Sequence, residues 1–336
     1  MNSPNVLPAL PFDVQDSVFR TNAWCDAWLA TYGKLSQVKT IDLGGAGNSL
    51  EMVYLASAMF KKVIPIQEMA LVGCGGFIVN SPRSEYNQLN ALVAKLGDKE
   101  KIIQSLDGLA WNRLHLTDFS HIEHSLLAQF FAASNYHAQH QEDIAYQVSA
   151  VSMAEYMDLL GKNTRGRYFN KRNKLETSFS TEWRRLNVDT DLAEFFGLLN
   201  GFHLKRWSQP CYSDLSQAFI GQFLQEIQRA GGCVHLSVLQ LNDAPQSVLL
   251  DVEWRNRRYN LQAGFDESIA GNCKLGSIHL GKAIEEAVLA GVVYDFMAGE
   301  GLKSNYKSSI ATHRFDLSSV TITRGWMGRL KNWKSN

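Results

Sequence analysis

The chain has 336 residues, 45% of them hydrophobic and 11% aromatic, which suffices for globular cores and favours two domains. Basic and acidic residues balance at 33 each, so the overall charge argues against a nucleic acid or a membrane surface as partner. The five cysteines form no C-x-x-C pair, the N-terminus lacks a signal-peptide pattern, and the most apolar window, 69–79, is too short to span a membrane. We therefore expect a cytoplasmic protein without an integral membrane segment.

The first half of the chain mixes helical and strand patterns. Residues 1–16 carry Pro and Asn and are predicted to form a loose arm. After them, Trp24 and Trp28 stand four residues apart, which places both indole rings on one face of a helix over 17–33. We expect 17–151 to form one domain. The other elements predicted for this half are helices at 84–97 and 120–134 and strands on either side of 60–62, at 111–116 and at 142–151.

A run of cations marks a predicted helical connector over 152–180. A solvated helix face accounts for such a run as well as a binding site does. The functional alternative is an anionic substrate, because guanidinium groups match the geometry of phosphate and carboxylate. RNA binding is a third alternative, but it predicts more basic residues elsewhere than this neutral chain has. The cations are Lys162, Arg165, Arg167, Lys171, Arg172 and Lys174.

The second half, 181–336, begins with a strand and two helices and continues with three strands. A helix and a further strand follow, and we expect the whole to form a second domain. The predicted elements are a strand at 182–188, helices at 191–207 and 214–231, strands at 233–241, 246–254 and 258–265, a helix at 278–290, a strand at 292–298, a strand pair around 317–319 and a helix at 326–333.

The loop between the strand at 258–265 and the helix at 278–290 is the first candidate for a binding site. It carries Gly271 and Gly276, and it leads from a strand directly into a helix N-terminus. Such a terminus presents free backbone N–H groups and the positive end of the helix dipole. We therefore predict a phosphate group here, in the first instance the pyrophosphate of a cofactor.

Other motifs are weaker. Gly45-x-Gly47 follows a strand like the start of a dinucleotide fingerprint, but its third glycine is missing and a strand pattern follows where a helix is needed. The loop 271–277 has P-loop glycine spacing, with Ser277 where lysine belongs. Two histidine pairs, 121/124 and 137/140, match no zinc pattern, so we predict no metal site. No serine lies in a G-x-S-x-G elbow.

The order of elements over 182–325 resembles the GNAT acyltransferase fold. The resemblance is closer to the Fem-like tandem branch, which includes acetyltransferases of the cellulose- and exopolysaccharide-biosynthesis type. It implies an α/β (α+β) protein of two tandem GNAT-like domains, each with a mixed, twisted central sheet flanked by helices. The stretches that carry it are VFRTNAWCDAW (18–28), KVIPI (62–66), GKNTRGRYFNKRNKLE (161–176), FHLKRW (202–207) and the core from LQAGFDE through YDFMAG to YK (261–307).

The resemblance also implies the chemistry. A GNAT enzyme holds the acyl group of acyl-CoA, usually acetyl, between two diverging strands and passes it to an amine or a hydroxyl. Tyr306 would then protonate the departing thiolate and Lys307 would stabilise negative charge, while the general base stays open among Asp251, Glu253 and Glu300. The residues expected to hold the cofactor are Lys274, Leu275, Gly276, Ser277, Ile278 and His279, around the degenerate pyrophosphate signature.

The acceptor is not readable from the sequence. We expect a small molecule or a glycan precursor, with Arg165, Arg167, Arg172, Arg206 and Trp207 as its binding residues. One alternative is an aminoacyl-tRNA-dependent ligase of the Fem type, although no long coiled-coil insertion for tRNA is present. Another is a non-catalytic binding protein with the same fold. Oligomeric state is left open.

Overall fold

A computed structural model describes residues 7–8, 17–60, 63–97, 99–120, 136–266, 268, 273–299 and 306–324. The chain divides into two compact units that are interleaved in sequence. The N-terminal unit comprises Phe12–Asp143, Ala218–Phe223 and Asp316–Asn336, and the C-terminal unit comprises Met1–Pro11, Ile144–Gln217 and Leu224–Phe315. The domain boundaries expected from the sequence stay a prediction.

The described elements alternate between helices and strands along the chain. The helices are α1 (Asn22–Ala30), α2 (Asn90–Leu96), α3 (Lys99–Asp107), α4 (Met153–Leu159), α5 (Lys162–Arg165), α6 (Lys171–Ser178), α7 (Leu192–Trp207), α8 (Asp214–Arg229) and α9 (Leu275–Leu289), with a π-helical turn at Gly166–Asn170 between α5 and α6. The strands are β1 (Leu7–Pro8), β2 (Val38–Asp42), β3 (Met52–Phe60), β4 (Ile64–Leu71), β5 (Arg113–Ser120), β6 (His137–Val148), β7 (Thr181–Leu186), β8 (Cys233–Leu241), β9 (Ala244–Trp254), β10 (Arg257–Phe265), β11 (Val293–Asp295) and β12 (His313–Thr323).

In the N-terminal unit, β2, β3 and β4 form an antiparallel meander, and β5 lies parallel to β4. The last strand of the chain, β12, runs antiparallel to β5 and corrects a prediction, because one strand replaces the expected pair around 317–319. The pairing register shifts between Ser318 and Val320, so the break in the sequence pattern is a β-bulge and not a turn. The hydroxyl of Ser319 accepts a hydrogen bond from the Asp118 amide at 2.8 Å.

A second correction concerns the helix predicted for 84–97, which begins only at Asn90. Tyr86 adopts a left-handed φ of 53°, which an α-helix does not tolerate. The buried side chain of Asn87 donates to the carbonyls of Ser84 and Thr117, so backbone and side chain of this stretch are held in an irregular form. The helix predicted for 120–134 and the terminal helix lie outside the described residues.

The glycine loop at 44–47 is closed by a carboxylate of its own chain. The amide of Gly45 donates to Oδ1 of Asp42 at 2.7 Å, and the amide of Gly47 donates to Oδ2 at 2.7 Å. These bonds, that to Gly47 first, hold the pKa of Asp42 below its usual value. The backbone donors that a dinucleotide phosphate would need are therefore already bonded.

The C-terminal unit contains a mixed sheet in the order β6–β11–β10–β9–β8–β7. Strands β7 to β10 are antiparallel, whereas β10 and β11 are parallel. Helices α7 and α9 cover opposite faces, as the last two residues of β10 show. A β-carbon on Gly264 would meet Leu199 of α7 at 3.2 Å, and one on Gly276 of α9 would meet the ring of Phe265. The predicted α/β class, with mixed sheets flanked by helices, is confirmed.

Candidate active site

Strands β10 and β11 part halfway along β10. They pair only at Arg257↔Val293, Arg258↔Tyr294 and Tyr259↔Asp295, after which β11 ends and β10 continues to Phe265. The register of β10 on β9 shifts between Asn260 and Gln262, so a bulge lies where the two strands part. Along 260–265, β10 therefore pairs with β9 alone, and its other edge has no strand partner among the described residues.

Helix α9 begins beyond the end of β10, with Lys274 as its N-cap residue. No side chain in the described ranges caps it. The carbonyl of Lys274 accepts from the amides of Ser277 at 2.9 Å and Ile278 at 3.1 Å, so both amides are engaged within the helix. The amides of Leu275 and Gly276 are the first two of the helix and point out of its N-terminus. The groups that remain available for the predicted phosphate are these two amides, the positive end of the helix dipole and the exposed side chain of Lys274.

His279 was predicted to lie at the cofactor, and its side chain lies elsewhere. Its ring is buried between two hydroxyl groups, that of Ser247 at 2.9 Å from Nδ1 and that of Ser237 at 2.8 Å from Nε2. Burial, with a smaller contribution from Arg185, lowers the pKa of His279 to about 3. The imidazole is thus a neutral packing group beneath α9.

The cationic connector lies along one stripe of α9, formed by Ser277, Gly281 and Glu285 at intervals of four residues. Nε of Arg167 donates to Oγ of Ser277 at 2.9 Å. A β-carbon on Gly281 would lie 2.1 Å from the carbonyl oxygen of Tyr168, so only glycine allows this approach. Further along, Arg172 forms an ion pair with Glu285. The π-helical turn is therefore fixed against the first half of α9, and it places Arg167 beside the helix N-terminus.

Tyr306 lies in the same neighbourhood as Arg167, Tyr168 and Arg206. The pKa of its phenol is raised to about 12, by burial first and by the Tyr168 phenol second, and the two guanidinium groups offset part of this increase. The guanidinium of Arg206 lies 4.9 Å from the ring centre of Phe265 at the end of β10. Tyr168, Arg167 and Arg206 are thus each within electrostatic range of Tyr306, whose phenol stays protonated at neutral pH.

The turn after β11 rests on a buried ion pair. Asp295 accepts from Nη1 of Arg257 at 2.7 Å and from the Met297 amide at 2.8 Å. Lys307 is also buried, and its ammonium group donates to the carbonyls of Met297 at 2.9 Å and Ala298 at 2.7 Å. The structure thus shows Lys307 fastening the chain next to Tyr306, and a role in stabilising charge stays a prediction.

Of the two described carboxylates considered as general base, Asp251 lies nearer the point where β10 and β11 part. It is opposite Asn260 and accepts from its side-chain amide at 2.8 Å and from the Tyr294 hydroxyl at 3.1 Å. Burial raises the pKa of Asp251. Glu253 lies on β9 opposite Arg258, near the start of β10, where His235 first and Arg258 next lower its pKa. Glu300 lies outside the described residues.

The cations predicted to bind the acceptor separate into two groups. Arg165 donates to the carbonyl of Met157 at 3.0 Å, and Arg172 is paired with Glu285, so both hold the connector together. Arg167 and Arg206 flank Tyr306, and Trp207 beside Arg206 is 41% exposed. The structure therefore brings Arg167, Arg206, Gly276, Ser277 and Tyr306 together, and it separates them from Arg165, Arg172 and Glu253.

Sequence reasoning missed Tyr168, Gly281 and the Asp251–Tyr294 pair. Tyr168 stood in the cationic run only as an interruption. Its one signal was an aromatic residue amid six cations, which does not reveal that it faces a helix more than 100 positions later. Gly281 looked like an ordinary helical residue.

Residues 162–308 match the family described as an acetyltransferase (GNAT) domain. No curated protein matches the sequence. Among solved structures, a conserved protein of unknown function from Bacteroides thetaiotaomicron VPI-5482 has 12% identity and a TM-score of 0.53, with 92% of each chain covered. FemX has 13% identity and a TM-score of 0.50, with 91% of this chain and 96% of FemX covered. These likenesses show the fold alone.

No helix in the described ranges has the length and apolar character needed to cross a membrane. In the same ranges, no group of three or more His, Cys, Asp or Glu side chains is arranged to hold a metal ion.

Proposed function

We propose that the protein transfers an acyl group, acetyl in the first instance, from acyl-CoA to an amine or hydroxyl of a small molecule or glycan precursor. The observation that carries this proposal is the parting of β10 from β11 after Tyr259↔Asp295, directly before the N-terminus of α9. The thioester arm of acyl-CoA would lie between the two strands, and the N-terminus of α9 would hold its phosphates. The acetyltransferase match over 162–308 covers the same elements.

The phosphate end of the site is built from backbone and cations. Four residues are suited to a pyrophosphate. Leu275 and Gly276 offer their backbone amides and Lys274 is an exposed cation. Arg167 is a second cation, which its hydrogen bond to Ser277 holds beside the helix N-terminus. The sequence suggested Arg167 for the acceptor, but its position beside α9 favours the donor. Acyl-CoA, when bound, supplies the thioester; the chain supplies the donors that hold and orient it.

The reacting end contains a proton donor that is held in its acid form. The acceptor attacks the thioester carbonyl, and the electron pair of the breaking C–S bond leaves on sulfur. Tyr306, with a pKa of about 12, gives its proton to that sulfur. The contacts of Lys307 fix the backbone that carries Tyr306. Asp251, bonded to Tyr294, is the better placed of the two candidate bases that the structure describes.

The acceptor side is proposed at Arg206 and Trp207, which end α7 near Phe265. The guanidinium of Arg206 lies 5.0 Å from the Trp207 ring centre and 4.9 Å from that of Phe265, so a planar cation is held between two aromatic groups. We propose an acceptor that carries a carboxylate or phosphate.

A second candidate is an aminoacyl-tRNA-dependent ligase, favoured by the similarity to FemX over 91% of the chain. The donor of such a ligase, like acyl-CoA, contains both an acyl group and an adenosine phosphate. The phosphate site at the N-terminus of α9 therefore does not distinguish the ligase from the acyl-CoA-dependent enzyme. The basic connector supports it less than its charge suggests, since Arg165 and Arg172 are used within the fold.

Thermal shift and calorimetry with CoA, acetyl-CoA, longer acyl-CoAs and an aminoacyl-tRNA test the proposal on the full chain. A ligand at 100 times its Kd stabilises the native state by about 2.7 kcal/mol, which the melting temperature records. We expect acetyl-CoA to bind and the tRNA not to bind. Binding of tRNA alone would favour the ligase, and binding of neither donor would leave a non-catalytic protein. Thiol release from acetyl-CoA across amines and hydroxyls then identifies the acceptor.

A further inference from the structure

The hydroxyl of Tyr168 is buried and has no hydrogen-bond partner within the described part of the chain. The side chain is only 2% exposed, so bulk water does not serve as the partner. Native proteins almost always satisfy buried hydroxyls, because a buried donor without an acceptor destabilises the fold. A hydroxyl left in this state at a candidate site indicates that a ligand completes it.

The surroundings of Tyr168 place this hydroxyl at the proposed acyl-donor site. Burial raises the pKa of the phenol, and the charge of Arg167 and a polar contact with the Ser277 hydroxyl partly offset the increase. The contact with Ser277 falls short of hydrogen-bond geometry, so it does not satisfy the Tyr168 hydroxyl. Its charge state in turn affects Tyr306, so the two phenols lie near each other. The ring packs in the same core cluster as Tyr294 on β11, with Ala263 on β10 at its margin. Tyr168 thus lies near the first turn of α9, in a cluster that includes residues of both diverging strands.

The backbone holds Tyr168 firmly in this position. Its carbonyl lies against Gly281 so closely that a β-carbon there would be 2.1 Å away. The guanidinium of Arg167 lies 5.2 Å from the ring centre and is itself bonded to Ser277. With backbone and ring both fixed, the hydroxyl cannot turn to solvent and is pre-organised for one acceptor atom.

We propose that the Tyr168 hydroxyl donates a hydrogen bond to a carbonyl oxygen of the acyl donor lying between β10 and β11. The inference rests on the proposed function, because it assumes an acyl-CoA donor. A carbonyl oxygen is the fitting chemistry, since Arg167 and the α9 N-terminus already serve the anionic phosphates. The thioester and the pantetheine amides both supply such an oxygen.

The test is Tyr168→Phe, which keeps the ring and removes the hydroxyl. We expect the melting temperature of the unliganded protein to be unchanged or higher, because an unsatisfied group is lost. The Kd for acetyl-CoA is expected to rise about tenfold. A rise for acetyl-CoA alone identifies the thioester carbonyl, whereas an equal rise for CoA identifies a pantetheine amide; both results support the proposal.

Tyr156→Phe is the matched control. Tyr156 is buried in the same core cluster, but its hydroxyl donates to the Ile310 carbonyl at 2.6 Å. Its removal should lower the melting temperature and leave the Kd values unchanged. If Tyr168→Phe behaves like this control, or leaves every Kd as in the wild type, the proposal is wrong. A wild-type protein that binds neither CoA nor acetyl-CoA would instead overturn the proposed function, and this inference with it.

Discussion

Nε of Arg167 donates a 2.9 Å hydrogen bond to Oγ of Ser277, which is 110 positions later in the chain. The bond anchors a cation from the connector in the first turn of α9. Arg167 thereby differs from Arg172 in the same cationic run, because Arg172 is paired with Glu285, eight residues beyond Ser277 in α9. One run of charge in the sequence therefore contains one residue at the site and another that only packs.

Replacing Arg167 tests this separation. We expect Arg167→Ala to raise the Kd for acetyl-CoA about tenfold, because one charge-assisted contact to phosphate is lost, and the effect should shrink at high salt. Arg172→Ala is the control and should leave the Kd unchanged, with a loss in unfolding free energy of no more than about 1 kcal/mol for a half-exposed pair. Calorimetry measures both. If the Arg167→Ala protein binds acetyl-CoA normally but has a raised KM for the acceptor, Arg167 belongs to the acceptor site instead.

Tyr306→Phe tests the proton donor. Because a phenol with a pKa of about 12 is fully protonated at neutral pH, its removal should lower kcat on the order of a hundredfold and barely change the Kd for acetyl-CoA. Steady-state kinetics, once an acceptor is found, and calorimetry give the two values. A near-normal kcat would show that the thiolate takes its proton from another group, such as water.

Gly281→Ala tests the contact between α9 and the π-helical turn. The added methyl group would lie 2.1 Å from the Tyr168 carbonyl, and the resulting shift should reduce the free energy of unfolding by about 1–3 kcal/mol and weaken donor binding. Gly201→Ala in α7 is matched, since a β-carbon there meets nothing within 4 Å. It should stabilise the protein by roughly 0.5–1 kcal/mol. Denaturant unfolding measures both, and equal stabilisation by the two changes would refute the close contact.

His279 gives the C-terminal unit a defined response to acid. Its native pKa is about 3, whereas the unfolded imidazole has the ordinary value of 6.5, so between these values the unfolded state binds one more proton. Stability contributed by His279 is therefore present above pH 6.5 and is lost as pH falls toward 3, at up to roughly 1.4 kcal/mol per pH unit.

His279→Gln removes that proton uptake. Urea unfolding at several values from pH 7 to pH 4 should show a shallower loss of stability in the variant than in the wild type. Parallel curves would mean that the native imidazole can take up a proton in place, in contrast to its confinement between Ser237 and Ser247.

Periodic elements of the C-terminal unit were predicted closely. Helix α7, predicted at 191–207, runs from Leu192 to Trp207, and β8 has the predicted limits, 233–241. Helix α7 succeeds because its buried residues recur at helical spacing. Strand β8 is buried continuously from Leu236 to Leu241, and its β-favouring composition between turn residues is what marks it. The bulge at Ser319 defeats the same reasoning, since an extra residue in a strand breaks the alternation just as a turn does.

The site was predictable only where a local pattern encodes it. A strand, a glycine loop and a helix in succession revealed the N-terminus of α9. The approach of Tyr168 to Gly281 joins two segments that are distant in sequence, and it requires that Gly281 has no β-carbon. Neither condition produces a repeating pattern in the sequence. The general base is hidden for a related reason, because burial separates Asp251 from Glu253 only once the strands are paired.

The loop at Asp42 has a consequence for how glycine motifs are interpreted. Here the aspartate stands three residues before one donating glycine and five before the other, and its two oxygens engage both amides. Glycine spacing alone would indicate a nucleotide site in this loop. The Asp42 carboxylate is held next to the two amides by the chain itself, so a phosphate from solution would have to displace it. In this chain, Asp42 upstream of Gly45-x-Gly47 occupies the backbone amides that would otherwise bind an anion, so the loop is a closed structural turn.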